Sequence, residues 1–126
     1  MTTDLFDDLP PDTDAAETPM APGAVLLHAF ARELDAALLQ AIDGITAQAP
    51  LRHMQTPGGH TMGVATTNCG PLGWVSDPQG YRYVAADPHT GRPWPAMPPC
   101  FADLARRAAA QAGYADFGPD ACLLNL

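Results

Sequence analysis

The histidines are the first candidates for metal ligands, because a non-haem iron site needs two histidines and one carboxylate on one side of the metal. Such a site usually begins in the sequence as His-x-Asp or His-x-Glu. The chain has 4 histidines, and none has a carboxylate two residues later. They are His28, His53, His60 and His89. The sequence therefore predicts no metal ligand and no catalytic residue among them, and each is expected at the surface or in an ordinary hydrogen bond.

The candidate nucleophiles give no stronger signal. Ser76 is the only serine, and no GxSxG motif surrounds it. Cys69 is expected in a loop, and His53 or His60 could serve as its base only if the fold brought them together. The 3 cysteines are far apart and lack zinc-type spacing. Because the chain has no lysine, it has no GxxxxGK phosphate loop.

The aromatic residues are more informative. Trp74, Tyr81, Tyr83 and Trp94 fall within one short stretch that is otherwise rich in Gly, Pro and polar residues. Such rings can form a stacking platform for a nucleobase, at about 1–3 kcal/mol for each stack. They can also pin a Pro-rich segment to the core, and composition alone favours that role. The net charge of -8 and the absence of lysine argue against a basic, phosphate-binding face.

Hydrophobic spacing predicts the elements that must position these residues. Apolar residues recur at intervals of three and four over 32–48 and 99–112, which predicts two helices. Short apolar or alternating runs predict strands near 24–30, 60–67, 81–84 and 120–126, with the Tyr81 and Tyr83 rings on one face. The predicted fold class is α+β, with two helices and four or five strands.

The first segment of the chain differs in composition from the rest. Residues 1–22 are Pro-rich and acidic and carry no basic residue, so they are predicted to form a disordered tail ahead of a folded domain over 23–126. They contain no apolar signal-peptide core, and no later apolar run is long enough to span a membrane. The sequence favours a cytoplasmic, monomeric protein with reduced thiols.

A series of six motifs, in order, resembles the AlkB family of alkylated-DNA repair proteins. The resemblance runs from about residue 4 to residue 125. The motifs are 56–62 (TPGGHTM), 67–70 (TNCG), 72–74 (LGW), 79–83 (QGYRY), 92–98 (RPWPAMP) and 119–125 (PDACLLN).

The resemblance implies an enzyme that uses Fe(II), 2-oxoglutarate and O2 to hydroxylate N-alkyl groups on damaged bases, after which the alkyl carbon leaves as an aldehyde. It also implies a double-stranded β-helix (jelly-roll) core with an N-terminal nucleotide-recognition lid. The partner would be alkylated single- or double-stranded DNA or RNA, whose damaged base is flipped out of the stack into that lid.

The family pattern gives the aromatic residues a function. Trp74 matches the aromatic residue that packs on the flipped base. Tyr81 and Tyr83 match positions that contact the damaged nucleotide and its backbone, and Arg82 is grouped with them as substrate-binding. For Trp74 and Tyr81, the resemblance therefore favours base stacking over the role in the core that composition alone favours. Trp94 keeps its predicted structural role.

Three further positions acquire roles through the resemblance. Thr56 and Met62 match residues that line the same substrate groove, and Asn125 matches an asparagine that helps to hold 2-oxoglutarate. The family continues after its asparagine with Arg-x-Tyr and then His-x-Asp, whereas residue 126 here is leucine and the sequence ends.

The chain is therefore expected to be a fragment of an oxidative dealkylase, which keeps the lid and the first part of the jelly roll but lacks the iron ligands. As such it should be inactive alone and bind neither cofactor well. Two alternatives stay open: a non-catalytic α+β module that binds a nucleotide or a protein, and an unrelated α+β scaffold.

Overall fold

The structure, a computed structural model, describes residues 17–126. Helices and strands are mixed along this part of the chain, which confirms the α+β prediction. In chain order the elements are β1 (Glu17–Ala21), β2 (Ala24–Leu27), a 3-10 turn (Arg32–Leu34), α1 (Asp35–Gln48), β3 (Arg52–Gln55), β4 (Thr61–Cys69), β5 (Gly73–Asp77), β6 (Gly80–Val84), α2 (Pro99–Gln111) and β7 (Cys122–Asn125).

The described strands pair in three small antiparallel sheets. β1 pairs with β2, β5 pairs with β6, and β4 lies between β3 and β7 in the third sheet. β7 follows β4 in sequence by more than fifty residues, so this pairing closes a long loop that contains the β5–β6 hairpin and α2. The three-stranded sheet therefore joins β3 and β4 to the last strand of the chain that the structure describes.

Both predicted helices form close to their predicted bounds. α1 buries Ile45 and ends before Pro50, where proline cannot continue the hydrogen-bond ladder. α2 begins at Pro99, whose missing N–H costs nothing in the first helical turn, and it is followed by Gly113 at a φ of 101°. Neither of these two helices is long and apolar enough to cross a membrane.

The predicted tail is wrong over residues 17–21, which form β1. Backbone pairing with β2 orders this segment, and Gly23 makes the intervening turn at a φ of 78°. A side-chain hydrogen bond of 2.6 Å between Thr18 Oγ1 and His28 Nε2 joins the two strands. Residues 1–16 of the predicted tail lie outside the described residues.

Two further strands, β3 and β5, escaped prediction, and the predicted strand β4 is longer than expected. β3 and β5 are short and flanked by Gly and Pro, so their sequences resemble turns. Trp74 lies within β5 and not in a turn. Cys69, expected in a loop, is the last residue of β4 and is completely buried. At Cys69, pairing with the distant strand β7 outweighs the local turn signal, and at Trp74 pairing with the next strand, β6, does so.

The core of the sheet region is formed by Met54, Val75 and Trp94. The indole N–H of Trp94 donates a hydrogen bond of 3.1 Å to the carbonyl of Val84, and the ring lies directly over Gly73. A Cβ atom at Gly73 would overlap the indole. The predicted structural role of Trp94 is therefore confirmed, and β5 can pack on it only because Gly73 has no side chain.

A partly buried ion pair joins β3 to the segment after β6. Arg52 donates two hydrogen bonds to the carboxylate of Asp87, one of them 2.6 Å, and the backbone N–H of His89 donates another at 2.9 Å. Burial by itself raises the pKa of Asp87, but these hydrogen bonds and the positive charge of Arg52 outweigh it and hold the pKa below its usual value.

We predict that Gly73→Ala lowers the free energy of unfolding by about 1–3 kcal/mol, because the new methyl group collides with the Trp94 ring. Urea unfolding followed by circular dichroism measures the change. Gly63→Ala on β4 is the matched control, since nothing lies within 4 Å of its added Cβ. Equal stability of the two variants would show that the Trp94 ring leaves room for a side chain at residue 73.

We predict that Asp87→Asn lowers the free energy of unfolding by about 1–3 kcal/mol at neutral pH, because Arg52 loses its charged partner. The folded-state pKa of Asp87 is depressed, so its stabilisation is present above the unfolded pKa of about 3.9 and disappears as the pH falls through the folded value. The difference between wild type and variant should therefore shrink in acid. Unfolding curves from pH 7 to pH 3 test this, with the exposed Asp116→Asn as control; a pH-independent difference would contradict it.

Candidate functional site

The β5–β6 hairpin presents three aromatic rings on one face. Trp74 is opposite Tyr83, and Ser76 is opposite Tyr81. Because opposed residues of an antiparallel pair project to the same side, Trp74 and both tyrosines share that side, as predicted for the tyrosines. The Trp74 and Tyr81 rings stack with centroids 5.7 Å apart and planes at 17°. Both tyrosines are more than 60% exposed, at 63% for Tyr81 and 62% for Tyr83. We call this surface the aromatic face.

The tip of the hairpin is held by a carboxylate. Asp77 accepts a hydrogen bond of 2.8 Å from the backbone N–H of Gln79, and Gly80 completes the turn at a φ of 113°. Arg82 donates two hydrogen bonds of 2.9 Å to the same carboxylate. These hydrogen bonds from Arg82 lower the pKa of Asp77, so the ion pair persists at neutral pH.

Arg82 does not join the aromatic face. It is opposite Val75 and alternates with Tyr81 and Tyr83 along β6, so it projects to the other side of the hairpin. Its guanidinium is engaged by Asp77. Substrate binding by Arg82 stays a prediction, and in this structure the residue acts to stabilise the turn that carries the tyrosines.

Asn68 fixes the position of Trp74. The Asn68 side chain is completely buried at the end of β4. Its Nδ2 donates a hydrogen bond of 2.9 Å to the carbonyl of Trp74, and its Oδ1 accepts one of 2.9 Å from the Trp74 N–H. One amide group thus satisfies both backbone groups of Trp74. The sequence alone assigned Asn68 no role, and its place in the TNCG motif was the available signal.

A small cavity adjoins the aromatic face. Its volume is about 230 Å³, and it is lined by Asn68, Trp74, Tyr83, Ala121 and Leu123. Trp74 therefore both stacks on Tyr81 and borders an open space beside Tyr83. This arrangement suits a planar ring that binds by stacking, because aromatic and apolar groups line the space and the tyrosine hydroxyls lie in solvent.

Met62 and Thr56 lie along the β3–β4 hairpin. Met62 and Trp74 pack against the same core residues, so the structure brings these two predicted site residues into one neighbourhood. The hydroxyl of Thr56 accepts a hydrogen bond of 3.1 Å from the backbone N–H of His60, which holds the turn between the strands. Thr56 is thus a turn residue here, and its predicted contact with substrate stays a prediction.

Asn125 lies in a second cavity. It is exposed near the end of β7, opposite Thr66, and it lines a space of about 610 Å³ between α1, α2 and β7. The remaining lining is mostly apolar and includes Leu38, Ile42 and Phe101. Asn125 therefore presents its amide beside a cavity distinct from the one that borders Trp74, although Leu123 of the same strand reaches both.

The side chains present do not fit an iron site. Within residues 17–126, no three His, Cys, Asp or Glu side chains come close enough together to hold a metal ion. Fe(II) of the 2-oxoglutarate-dependent kind needs two histidines and a carboxylate. No chemical step can therefore be assigned to iron on the described residues.

Comparison with known proteins identifies the class. Residues 23–126 match the 2OG-Fe(II) oxygenase superfamily, and the chain belongs to it. Among curated relatives, the alpha-ketoglutarate-dependent dioxygenase AlkB of Escherichia coli (strain K12) is 52% identical over 118 residues, and that of Salmonella typhimurium is 52% identical over 122 residues. An AlkB homolog of Caulobacter vibrioides is 47% identical over 90 residues. The resemblance to the AlkB family is thus confirmed.

The matches cover the chain and the relatives unequally. They include 94% of this chain in the Escherichia coli comparison, 97% in the Salmonella typhimurium comparison and 71% in the Caulobacter vibrioides comparison. The shares of the relatives are 55%, 55% and 39%. The chain thus spans about half the length of the two enterobacterial relatives.

We predict that Asn68→Ala lowers the free energy of unfolding by at least about 1–3 kcal/mol, because both backbone groups of Trp74 lose their partner. Chemical denaturation measures the loss. Asn125→Ala is the control, because the side chain of this exposed asparagine makes no hydrogen bond to the residues that the structure describes and its loss should be near neutral. If the two alanine variants were equally stable, Asn68 could not be the support of Trp74.

Proposed function

We propose that this chain provides the nucleotide-recognition lid of an oxidative DNA or RNA dealkylase, in which the aromatic face stacks on an alkylated base flipped out of the strand. The observation that carries the proposal is the pair of stacked rings, Trp74 and Tyr81. The buried side chain of Asn68 holds the Trp74 backbone in place by two hydrogen bonds. The curated relatives are named alpha-ketoglutarate-dependent dioxygenases, which supports the oxidative class.

Stacking is the physical requirement that the aromatic face meets. A base taken out of its stack loses its neighbours, and a protein that holds it must supply replacement surfaces. Each aromatic stack contributes about 1–3 kcal/mol. Alkylation of a ring nitrogen such as N1 of adenine leaves the base positively charged, and a cation over a tryptophan face gains a further about 0.5–2 kcal/mol. Trp74 would therefore favour the alkylated base over the normal one.

The charge distribution indicates how this part of the protein binds. The net charge is -8 and lysine is absent, while Arg82 on the hairpin is already paired with Asp77. Phosphate neutralisation therefore contributes little here, and binding by this chain should depend only weakly on salt. The proposal assigns the affinity of the aromatic face to base stacking, with Tyr81 and Tyr83 at the rim offering hydroxyl groups to the nucleotide backbone.

The proposal also covers the cosubstrate. Fe(II) and 2-oxoglutarate, when bound in the complete enzyme, would supply the oxidation of the N-alkyl carbon. Asn125 would donate its side-chain amide to a carboxylate of 2-oxoglutarate, and Met62 would pack beside the base. We further propose that the enzyme is a cytoplasmic monomer.

Fluorescence anisotropy of a labelled single-stranded oligonucleotide that contains one N1-methyladenine tests the proposal. The 126-residue chain should bind this oligonucleotide more tightly than the unmodified one. Trp74→Ala should weaken binding at least about 10-fold, as expected for the loss of one stack, and Tyr81→Ala should act in the same direction. The matched control is Phe117→Ala, which removes an exposed ring outside the aromatic face.

The outcomes separate recognition from a structural role. Weakened binding by Trp74→Ala with an unchanged melting temperature supports recognition. A lowered melting temperature with an unchanged Kd would assign Trp74 to structure alone. If the wild-type chain failed to distinguish the two oligonucleotides, the aromatic face would not be the recognition surface, and the proposed function of this part of the enzyme would be wrong.

A further inference from the structure

Two of the three cysteines are directly opposed across a pair of strands. Cys69 ends β4, and Cys122, which begins β7, is its partner in the antiparallel register. Ala65 and Leu126 exchange two backbone hydrogen bonds, of 3.1 and 2.9 Å. Since such pairs recur at every second position, Cys69 and Cys122 also form a hydrogen-bonded pair. Their side chains therefore project to the same side of the sheet.

The geometry of this pair suits a covalent bond. The Cα atoms of a hydrogen-bonded antiparallel pair are about 5.5 Å apart. A disulfide joins Cα atoms separated by about 4.4–6.8 Å. Both cysteines carry free thiols in the structure. The Cα spacing expected for this pair therefore falls within the range that a disulfide spans.

The two thiols differ in access and in acidity. Cys69 is completely buried, whereas Cys122 is half-buried and lines the cavity of about 610 Å³ between α1, α2 and β7. A small molecule in that cavity meets Cys122 first. A hydrogen bond from the Cys69 thiol stabilises the Cys122 thiolate and lowers the pKa of Cys122 to about 7. The same hydrogen bond, with burial, raises the pKa of Cys69.

From the opposed positions of Cys69 and Cys122 and the opening of Cys122 onto the cavity, we propose that this pair is an oxidation site, which hydroperoxides convert into a cross-strand disulfide. The proposal concerns the β4–β7 sheet and stands independently of the function proposed for the aromatic face.

The reaction has two steps. In the first, the Cys122 thiolate attacks one oxygen of the hydroperoxide, so an S–O bond forms, the O–O bond breaks, and hydroxide or alkoxide leaves and takes up a proton. In the second, the Cys69 sulfur attacks the sulfur of the Cys122 sulfenic acid. The S–S bond forms, the S–O bond breaks, and water leaves with the proton of Cys69. Two thiols lose two electrons in total, and the hydroperoxide gains them.

Cys100 provides an internal reference. It lies in the first turn of α2 and is not opposed to another cysteine in the described strands. In an unfolded chain, the shorter loop between Cys100 and Cys122 would close more readily than the longer loop between Cys69 and Cys122. Only the folded structure favours the pairing of Cys69 with Cys122, so the choice of partner reports on the native geometry.

The test is to treat the reduced 126-residue chain with dilute hydrogen peroxide, block the remaining thiols with iodoacetamide, and map the peptides by mass spectrometry. We expect the loss of two of the three reactive thiols and one linked peptide pair, Cys69 with Cys122. Cys100→Ser should give the same linkage. In Cys69→Ala, Cys122 should stop at the sulfenic acid, which a dimedone probe captures. The same oxidation in concentrated urea should shift the linkage towards Cys100 with Cys122.

The linked protein should also melt at a higher temperature than the reduced protein, because the disulfide closes a long loop of the unfolded chain. Circular dichroism of each variant establishes that it is folded before oxidation. A native linkage between Cys100 and Cys122 would overturn the proposal. The proposal would also fail if all three thiols of the wild-type chain stayed free at a peroxide concentration that oxidises Cys122 in Cys69→Ala. It would fail as well if a Cys122 sulfenic acid persisted in the wild-type chain beside a free Cys69.

Discussion

The hydrogen bonds between the Asn68 side chain and the Trp74 backbone are the interaction on which the aromatic face depends. β5 pairs with β6 alone, and a two-stranded hairpin has little stability of its own. The buried amide of Asn68 connects that hairpin to β4, the central strand of the three-stranded sheet. Because an unpaired buried amide or carbonyl is costly, this connection admits one position of Trp74 and excludes others. The half-buried Trp74 ring is thus supported by a fully buried amide group.

The opposite side of the hairpin is constrained by packing. Trp94 occupies the space that a side chain at Gly73 would need, and its indole N–H is bonded to Val84 on the neighbouring strand. The two tryptophans therefore have different functions at this hairpin. Trp94 fills the core, whereas Trp74 packs against the core and also stacks on Tyr81 and borders a cavity. The alternation of side chains along β5 separates the packing face from the aromatic face.

The two arginine–aspartate ion pairs and the pair of cysteines lie outside the aromatic face. The Arg82 and Arg52 guanidinium groups are engaged by Asp77 and Asp87 and stabilise the loops at either end of β6. The Cys69–Cys122 pair lies where β7 closes the sheet, and Cys69 adjoins Asn68. Three features therefore depend on the long-range pairing of β4 with β7. They are the support of Trp74, the position of Asn125 and the opposed positions of the two thiols.

The sequence by itself determined the helices, the strand with alternating tyrosines and the family, because these depend on local spacing and on short motifs such as LGW and QGYRY. It also identified Trp94 as a core residue. Only the tertiary structure decided that Glu17–Ala21 is a strand, that Trp74 lies in β5 and Cys69 in β4, and that Asn68 supports Trp74. Each of these depends on which strands pair and which side chains become buried together, and the packing of the whole domain sets both, whereas local propensity does not.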